Sequence, residues 1–209
     1  MLRQEIEQYI ASNPYGWCTV AKACEMADLI THVRPTVCVE IGVYGGRSLI
    51  PQAIALRELG YGVIVGIDPW SSEAATEGTS DPQNEEWWRQ QNFGAIRGYT
   101  EESIRRLGLE RHCITLPWRS ENAQLLFQPH SIDILHIDGN HTELASVRDV
   151  NTWFPRMKPG GHIWFDDINW ATTQKALSLL DGCCERVKDV ICENTNVRLY
   201  RVKCGTSLP

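Results

Sequence analysis

The feature that most constrains this chain is a recurrence. Short apolar runs, four to six residues long, each break on a carboxylate or another hydrogen-bonding side chain. Val37-Cys38-Val39 leads to Glu40, Ile41 and the glycine cluster Gly42-Val43-Tyr44-Gly45-Gly46. Residues 63–67 end at Asp68, and 113–116 are followed by Trp118-Arg119-Ser120. Residues 132–137 end at Asp138-Gly139-Asn140-His141, and 162–165 end at Asp166-Asp167. Apolar runs of this length, bounded by polar punctuation, read as buried strands.

Helical segments are expected between them, over 47–59, from the 80s to about 107, and over 142–154. Two more precede the first strand, at 2–11 and 19–33, the second carrying an apolar stripe of Val20, Ala23, Cys24, Ala27, Leu29 and Ile30. Lys158-Pro159-Gly160-Gly161 has the composition of a turn. After a helix near 172–180, runs at 185–192 and 197–203 flank Glu193-Asn194-Thr195-Asn196, a hairpin signature. The expected fold is therefore α/β: a Rossmann-like, doubly wound, seven-stranded sheet, mostly parallel, closed by a C-terminal antiparallel hairpin. Residues 1–35 form a helical extension ahead of a 36–204 domain. Residues 71–84, rich in Ser, Glu, Thr, Gly and Pro, read as a mobile loop, with 71–100 as a lid.

Composition narrows the class. A chain of 209 residues with 43% apolar and 22% charged side chains can bury one ordinary core. A formal charge of −6 argues against a nucleic-acid backbone or an anionic membrane as partner. No apolar run nears the ~20 residues of a membrane span, and the mixed-charge start MLRQEIEQYI lacks a secretory h-region. A cytoplasmic protein is expected. None of the eight cysteines forms a CxxC, so reduced, structural thiols are expected rather than zinc ligands.

In open parallel sheets, ligands bind beyond the carboxyl ends of the strands. Five such ends here carry charged or hydrogen-bonding groups, which a core has no use for unpaired. Gly42-x-x-Gly45-Gly46 is not the GxGxxG spacing that seats a pyrophosphate. Glu40 beside it would repel phosphate, yet would suit a cationic ligand held directly or through water. Asp68 is placed to accept both hydroxyls of a ribose, whichever nucleoside cofactor is bound. Glu40 tips that choice from a nicotinamide cofactor toward S-adenosylmethionine, whose amino and sulfonium groups are positive.

Taken together, Val39-Glu40-Ile41-Gly42-Val43-Tyr44-Gly45-Gly46, Gly66-Ile67-Asp68-Pro69-Trp70, His136-Ile137-Asp138-Gly139-Asn140-His141, Lys158-Pro159-Gly160-Gly161 and Phe165-Asp166-Asp167 resemble the class I S-adenosylmethionine-dependent methyltransferases. More narrowly, they resemble the branch of metal-dependent macrolide-sugar O-methyltransferases and cephalosporin-hydroxylase-like proteins. With that donor, Glu40, Gly42, Tyr44, Gly45, Gly46 and Ser48 are expected to hold the methionine end, Asp68 the ribose, and Trp118, Arg119, Ser120 and Asp138 the adenosine side. The resemblance implies that Asp138, Asp166 and Asp167 hold Mg²⁺ (or Mn²⁺), a set of oxygen ligands that suits such ions. His141, three residues past Asp138, has the ordinary pKa of a general base near neutral pH, and the resemblance implies that role with Asp138 beside it. His136 and His162 read as hydrogen-bonded structural residues.

The acceptor implied is a small hydroxylated molecule, a sugar or glycosylated product above all. Eight tryptophans, among them Trp70, Trp87, Trp88, Trp118 and Trp170, suit either an aromatic lid over such a substrate or a homo-oligomer contact. Two alternatives stay open: a nicotinamide-dependent oxidoreductase, and a binding module that keeps the cofactor without transferring methyl.

Overall fold

Strand parity organises the molecule. The computed structural model describes residues 1–78, 82–191, 196–206 and 208. Its first five strands are β1 (Val37–Ile41), β2 (Val63–Ile67), β3 (Cys113–Leu116), β4 (Ile132–Ile137) and β5 (Met157–Phe165). They lie parallel, followed by β6 (Cys184–Ile191) and β7 (Asn196–Val202), and the sheet order is β3-β2-β1-β4-β5-β7-β6. β7 runs antiparallel to β5, and β6 antiparallel to β7. This is the mixed doubly wound sheet expected; the hairpin turn itself, 192–195, lies outside the described residues. The chain winds outward from β1 to β3, then returns to β4. That reversal opens a crevice above the carboxyl ends of β1 and β4.

Side chains alternate across each strand. Val39, Ile41, Leu135, Ile137, Ile163 and Phe165 fill one face, against α8 (Glu143–Trp153) and α9 (Gln174–Cys183). Cys38, Ile134 and Trp164 fill the other, packing with α1 (Leu2–Ser12), α2 (Val20–Val33) and α3 (Leu49–Leu59). The helices of residues 1–35 share the main core: Ile6, Met26 and Ile30 are fully buried there. Thr19 caps α2 by accepting from the Lys22 backbone N–H, and Arg34 ends it in a left-handed conformation before Pro35.

Two expectations need correction. β5 starts at Met157, so it runs through Lys158-Pro159-Gly160-Gly161 instead of following a turn there. The excess residues form a bulge between the Ile132 and Ile134 pairings, Gly160 takes φ +77°, and Lys158 Nζ holds Asp133 Oδ1 at 2.7 Å. Residues 71–84, expected as a loop, carry α4 (Ser72–Ala75) and the start of α5 (Pro82–Arg89), while the helix expected from the 80s to about 107 is present as α5 and α6 (Phe93–Arg106). Residues 79–81 of the expected loop lie outside the described residues. Among the described residues no helix is long and apolar enough to cross a membrane.

Gly42 is where backbone geometry matters most. It has φ +84°, and a Cβ there would stand 2.0 Å from the Asp138 carbonyl oxygen. Gly60, with φ +79°, has nothing within 4 Å. Gly60→Ala should therefore cost only the left-handed penalty, about 1 kcal/mol, whereas Gly42→Ala should cost more than about 3 kcal/mol, because backbone must move. Urea unfolding of the two variants checks this, and equal losses would contradict it.

Candidate active site

A cavity of about 820 Å³ lies in the crevice. Its floor is the β1–α3 loop, and Asp68 holds that loop in shape. Asp68 Oδ2 accepts from the Val43 and Tyr44 backbone N–H groups at 3.0 and 2.9 Å, and Oδ1 from that of Trp70 at 2.7 Å. Burial raises its carboxyl above the usual value, against the pull of those three N–H groups. Tyr44 and Trp70 both adopt positive φ, and Trp70 Nε1 donates to the Tyr44 carbonyl. Strained backbone of this kind persists where the surroundings over-determine it, and it clusters at functional sites.

Glu40 does not reach the cavity. It is fully buried on the face covered by the N-terminal helices. Its Oε1 accepts from Ser48 Oγ and its Oε2 from Gln52 Nε2, both at 2.8 Å. The register sets Glu40 opposite His136, whose Nδ1 is 3.0 Å from Glu40 Oε2. His136 Nε2 lies 2.5 Å from Asp166 Oδ2, and Lys22 Nζ of α2 lies 2.6 Å from that same oxygen. The result is a buried polar ladder, Gln52–Glu40–His136–Asp166–Lys22, in which two carboxylates face two cations. Burial alone would lower both basic groups. Asp166 and Asp138 beside Lys22 nonetheless hold its ammonium above its usual value, and Glu40 and Asp166 push His136 up to about 9.

Asp138, His141 and Asp167 form a second cluster, which does line the cavity. His141 Nε2 is 2.6 Å from Asp167 Oδ2 and 3.7 Å from Asp138 Oδ1. Burial would lower this imidazole too, but the two carboxylates push it up to about 10. Asp138 sits below the usual carboxylate range: burial opposes this, and Lys22, His141 and His136 outweigh it. Asp167 reaches the cluster with φ +52°.

The expected metal triad is thereby split. A hard divalent ion needs several carboxylate oxygens free to turn toward one point. Asp166 is 2% exposed and does not line the cavity, and its Oδ2 already takes Lys22 and His136. Its Oδ1 is buried without a hydrogen-bond partner among the described residues, and the void beside Asp138, His141 and Asp166 measures only about 10 Å³. That is room for a single water at most. Asp138, Asp166 and Asp167 do not fit a Mg²⁺ site as three free ligands.

On the far side, Ser120 Oγ donates to Asp149 Oδ1 at 2.5 Å, and Arg119 pairs with Glu77. Asn140 Nδ2 reaches the carbonyl oxygens of Ala74 and Glu77 at 3.2 and 2.9 Å, so the segment after Asp68 is pinned over the cavity. Aromatic rings close the near side. Trp17 stacks on Tyr44 (centroids 5.6 Å apart, 17° between planes), and Trp87 and Trp88 lean against them. Trp170 lies 4.9 Å from the His141 ring.

With this geometry in hand, the comparisons decide the family. A model described as a methyltransferase domain matches residues 39–168. The chain belongs to this methyltransferase family. Several solved structures share its fold. One is an O-methyltransferase from Bacillus cereus in complex with SAH, 13% identical, with a TM-score of 0.64, covering 97% of this chain and 90% of that one. Another is the O-methyltransferase TomG from Streptomyces achromogenes, involved in tomaymycin synthesis and in complex with SAM, at 14%, 0.68, 97% and 89%. A third is the SAH-bound Podospora anserina methyltransferase PaMTH1, at 13%, 0.64, 97% and 88%. No curated protein sequence matches the chain. Family membership displaces the nicotinamide alternative.

Of the residues expected at the methyltransferase site, Gly42, Tyr44, Ser48, Asp68, Arg119, Ser120, Asp138, His141 and Asp167 line the cavity. Glu40, Gly45, Gly46, Trp118 and Asp166 do not. Gly45 packs on Tyr15 and Gly46 on Thr100, while Trp118 is 44% exposed outside the cavity. Sequence reasoning missed the N-terminal contribution of Tyr15, Gly16, Trp17, Cys18 and Lys22, and also Asn140 and Asp149. One signal was available: Lys22, Met26 and Ile30 recur every fourth residue, which puts a lysine on the core-facing stripe of α2.

Asp149 generates a prediction. It is 4% exposed, and burial pushes its carboxyl up to about 6 against the pull of Ser120. A raised acid favours the folded state below its unfolded pKa, about 4, and that contribution is lost as pH rises through about 6. Asp149→Asn should therefore stabilise the methyltransferase by on the order of 2 kcal/mol near pH 7.5 and change little near pH 4. Thermal melts at the two pH values check this; an equal shift at both would contradict it.

Proposed function

We propose that this methyltransferase moves the methyl group of S-adenosylmethionine to a hydroxyl oxygen of a small hydroxylated acceptor, with a sugar or glycosylated natural product the favoured class. The observation that carries the reading is the Asp138–His141–Asp167 cluster, opening on the same cavity as the Asp68-braced glycine loop. The donor's nucleoside lies along Asp68, Arg119, Ser120 and the Asp138-Gly139 turn, and its methionine end along Gly42, Tyr44 and Ser48. Glu40 acts at one remove, by holding Ser48. The SAH and SAM complexes of the similar folds support the donor. The tryptophan and tyrosine rings at the near side support an acceptor with a flat, partly apolar face.

The chemistry follows from charge. In the free protein the carboxylates of Asp138 and Asp167 beside His141 favour its protonated form. A sulfonium entering beside Asp138 and Asp167 takes over part of their field, so the imidazole gives up its proton more readily. The acceptor oxygen then attacks the methyl carbon, the sulfur–carbon bond breaks, and the hydroxyl proton passes to His141. The 71–78 segment, pinned over the cavity by Asn140, shields the donor from water. No step of this reading is routed through a divalent ion; Asp138, His141 and Asp167 are the cavity-facing side chains close enough together to share one. Cytoplasmic location and a homo-oligomer remain parts of the proposal that rest on the sequence alone.

The test is transfer of labelled methyl from S-adenosylmethionine to a panel of glycosides and simple polyols. Transfer to a hydroxyl is expected, and His141→Ala should lower kcat by ~10²–10⁴-fold while leaving affinity for S-adenosylhomocysteine nearly unchanged. Donor binding without transfer to any hydroxyl would favour the non-catalytic module, and a loss under about threefold would remove His141 as the base.

A further inference from the structure

We propose that Lys22 is the resident cation of this site, a positioning residue whose ammonium holds Asp166 and Asp138 where a divalent metal would otherwise be needed. The inference concerns how the site is neutralised, and it rests on the methyl-transfer reading only for its activity arm.

Four observations point to it. Lys22 is 1% exposed, an unusual place for a lysine unless its charge is matched. Its Nζ lies 2.6 Å from Asp166 Oδ2 and 3.6 Å from Asp138 Oδ2, so it bridges two of the three carboxylates expected to share a metal. His136 Nε2 stands 3.8 Å from the same Asp138 oxygen, and His141 engages the third carboxylate, Asp167. Each of the three acids thus already has a basic partner supplied by the chain. A metal ion on Asp138 Oδ2 at its usual ~2.1 Å would lie within about 6 Å of both Lys22 and His136, and like charges at that range repel.

Lys22 also explains a coupling between distant parts of the chain. It sits one turn into α2, and Thr19 caps the start of that helix. The next residues upstream, Tyr15 to Cys18, line the cavity mouth. Anchoring the ammonium on Asp166 therefore fixes the register of α2, and with it the position of Trp17 against Tyr44. The cation that neutralises the acids is also the strut that places the aromatic wall.

The experiment is a titration of the metal-stripped protein with Mn²⁺ alone, read by electron paramagnetic resonance. Beside it, labelled-methyl transfer is compared in EDTA and in Mg²⁺. Wild type is expected to show no saturable Mn²⁺ site, and activity in EDTA within about twofold of that in Mg²⁺. Lys22→Ala removes the ammonium and should create a Mn²⁺ site, with affinity raised at least ~10-fold. A purely structural lysine would not produce that gain. Lys22→Gln, which keeps the packing and a donor to Asp166, should show the same gain if Lys22→Ala does not fold. One saturable Mn²⁺ ion on wild type would overturn the proposal, as would folded Lys22 variants that gain no metal affinity. If no methyl transfer is seen at all, the proposed function fails, and the Mn²⁺ titration still decides the role of Lys22.

Discussion

The structure depends on the pairing of buried charge beneath the N-terminal helices. Strand parity turns Glu40 and His136 to the same face of the sheet, and Asp166 follows Trp164 to that side. Unpaired, such groups are costly to bury, and removing one partner of a buried pair typically costs 3–5 kcal/mol. Lys22 and His136 against Glu40 and Asp166 leave that layer electrically balanced. Asp138 and Asp167 face the cavity, with His141 between them, and Asp138 also reaches back to Lys22 and His136.

This division explains why one sheet edge carries two polar systems less than 4 Å apart. Asp138 is the joint: its Oδ2 meets Lys22 and His136, and its Oδ1 meets His141. The glycine loop closes on the same residue, since Gly42 packs against the Asp138 carbonyl with no room for a side chain. A shift of β4 by one residue would exchange the two faces and bury the wrong acids. The N-terminal helices, the glycine loop and the cavity-facing cluster therefore stand or fall together.

Much of this was legible in the residues. Apolar runs of fixed length, each ending on a polar group, specify a parallel sheet, and the rule that ligands bind at strand ends places Asp68, Asp138, His141 and Asp167 correctly around one cavity. What could not be read was direction. Glu40 and Asp166 sit at strand ends like the others, yet parity and a partner on α2 turn them inward. No local pattern pairs Lys22 with a carboxylate 144 positions away. The turn composition of Lys158 to Gly161 misled for a related reason: a bulge absorbs the glycines, and Lys158 finds Asp133 across the sheet. Trp118 was misread because proximity to a strand end says nothing about which way a side chain leaves it.

The central claim is that the cavity-facing cluster receives the donor while the buried ladder stays closed. The most direct measurement is a crystal structure with S-adenosylhomocysteine. The account places the ribose on Asp68, the sulfur toward the Asp138–His141–Asp167 cluster, and Glu40 still bonded to Ser48 and Gln52. Product bound elsewhere, or Glu40 swung out to contact it with Lys22 released from Asp166, would contradict the account.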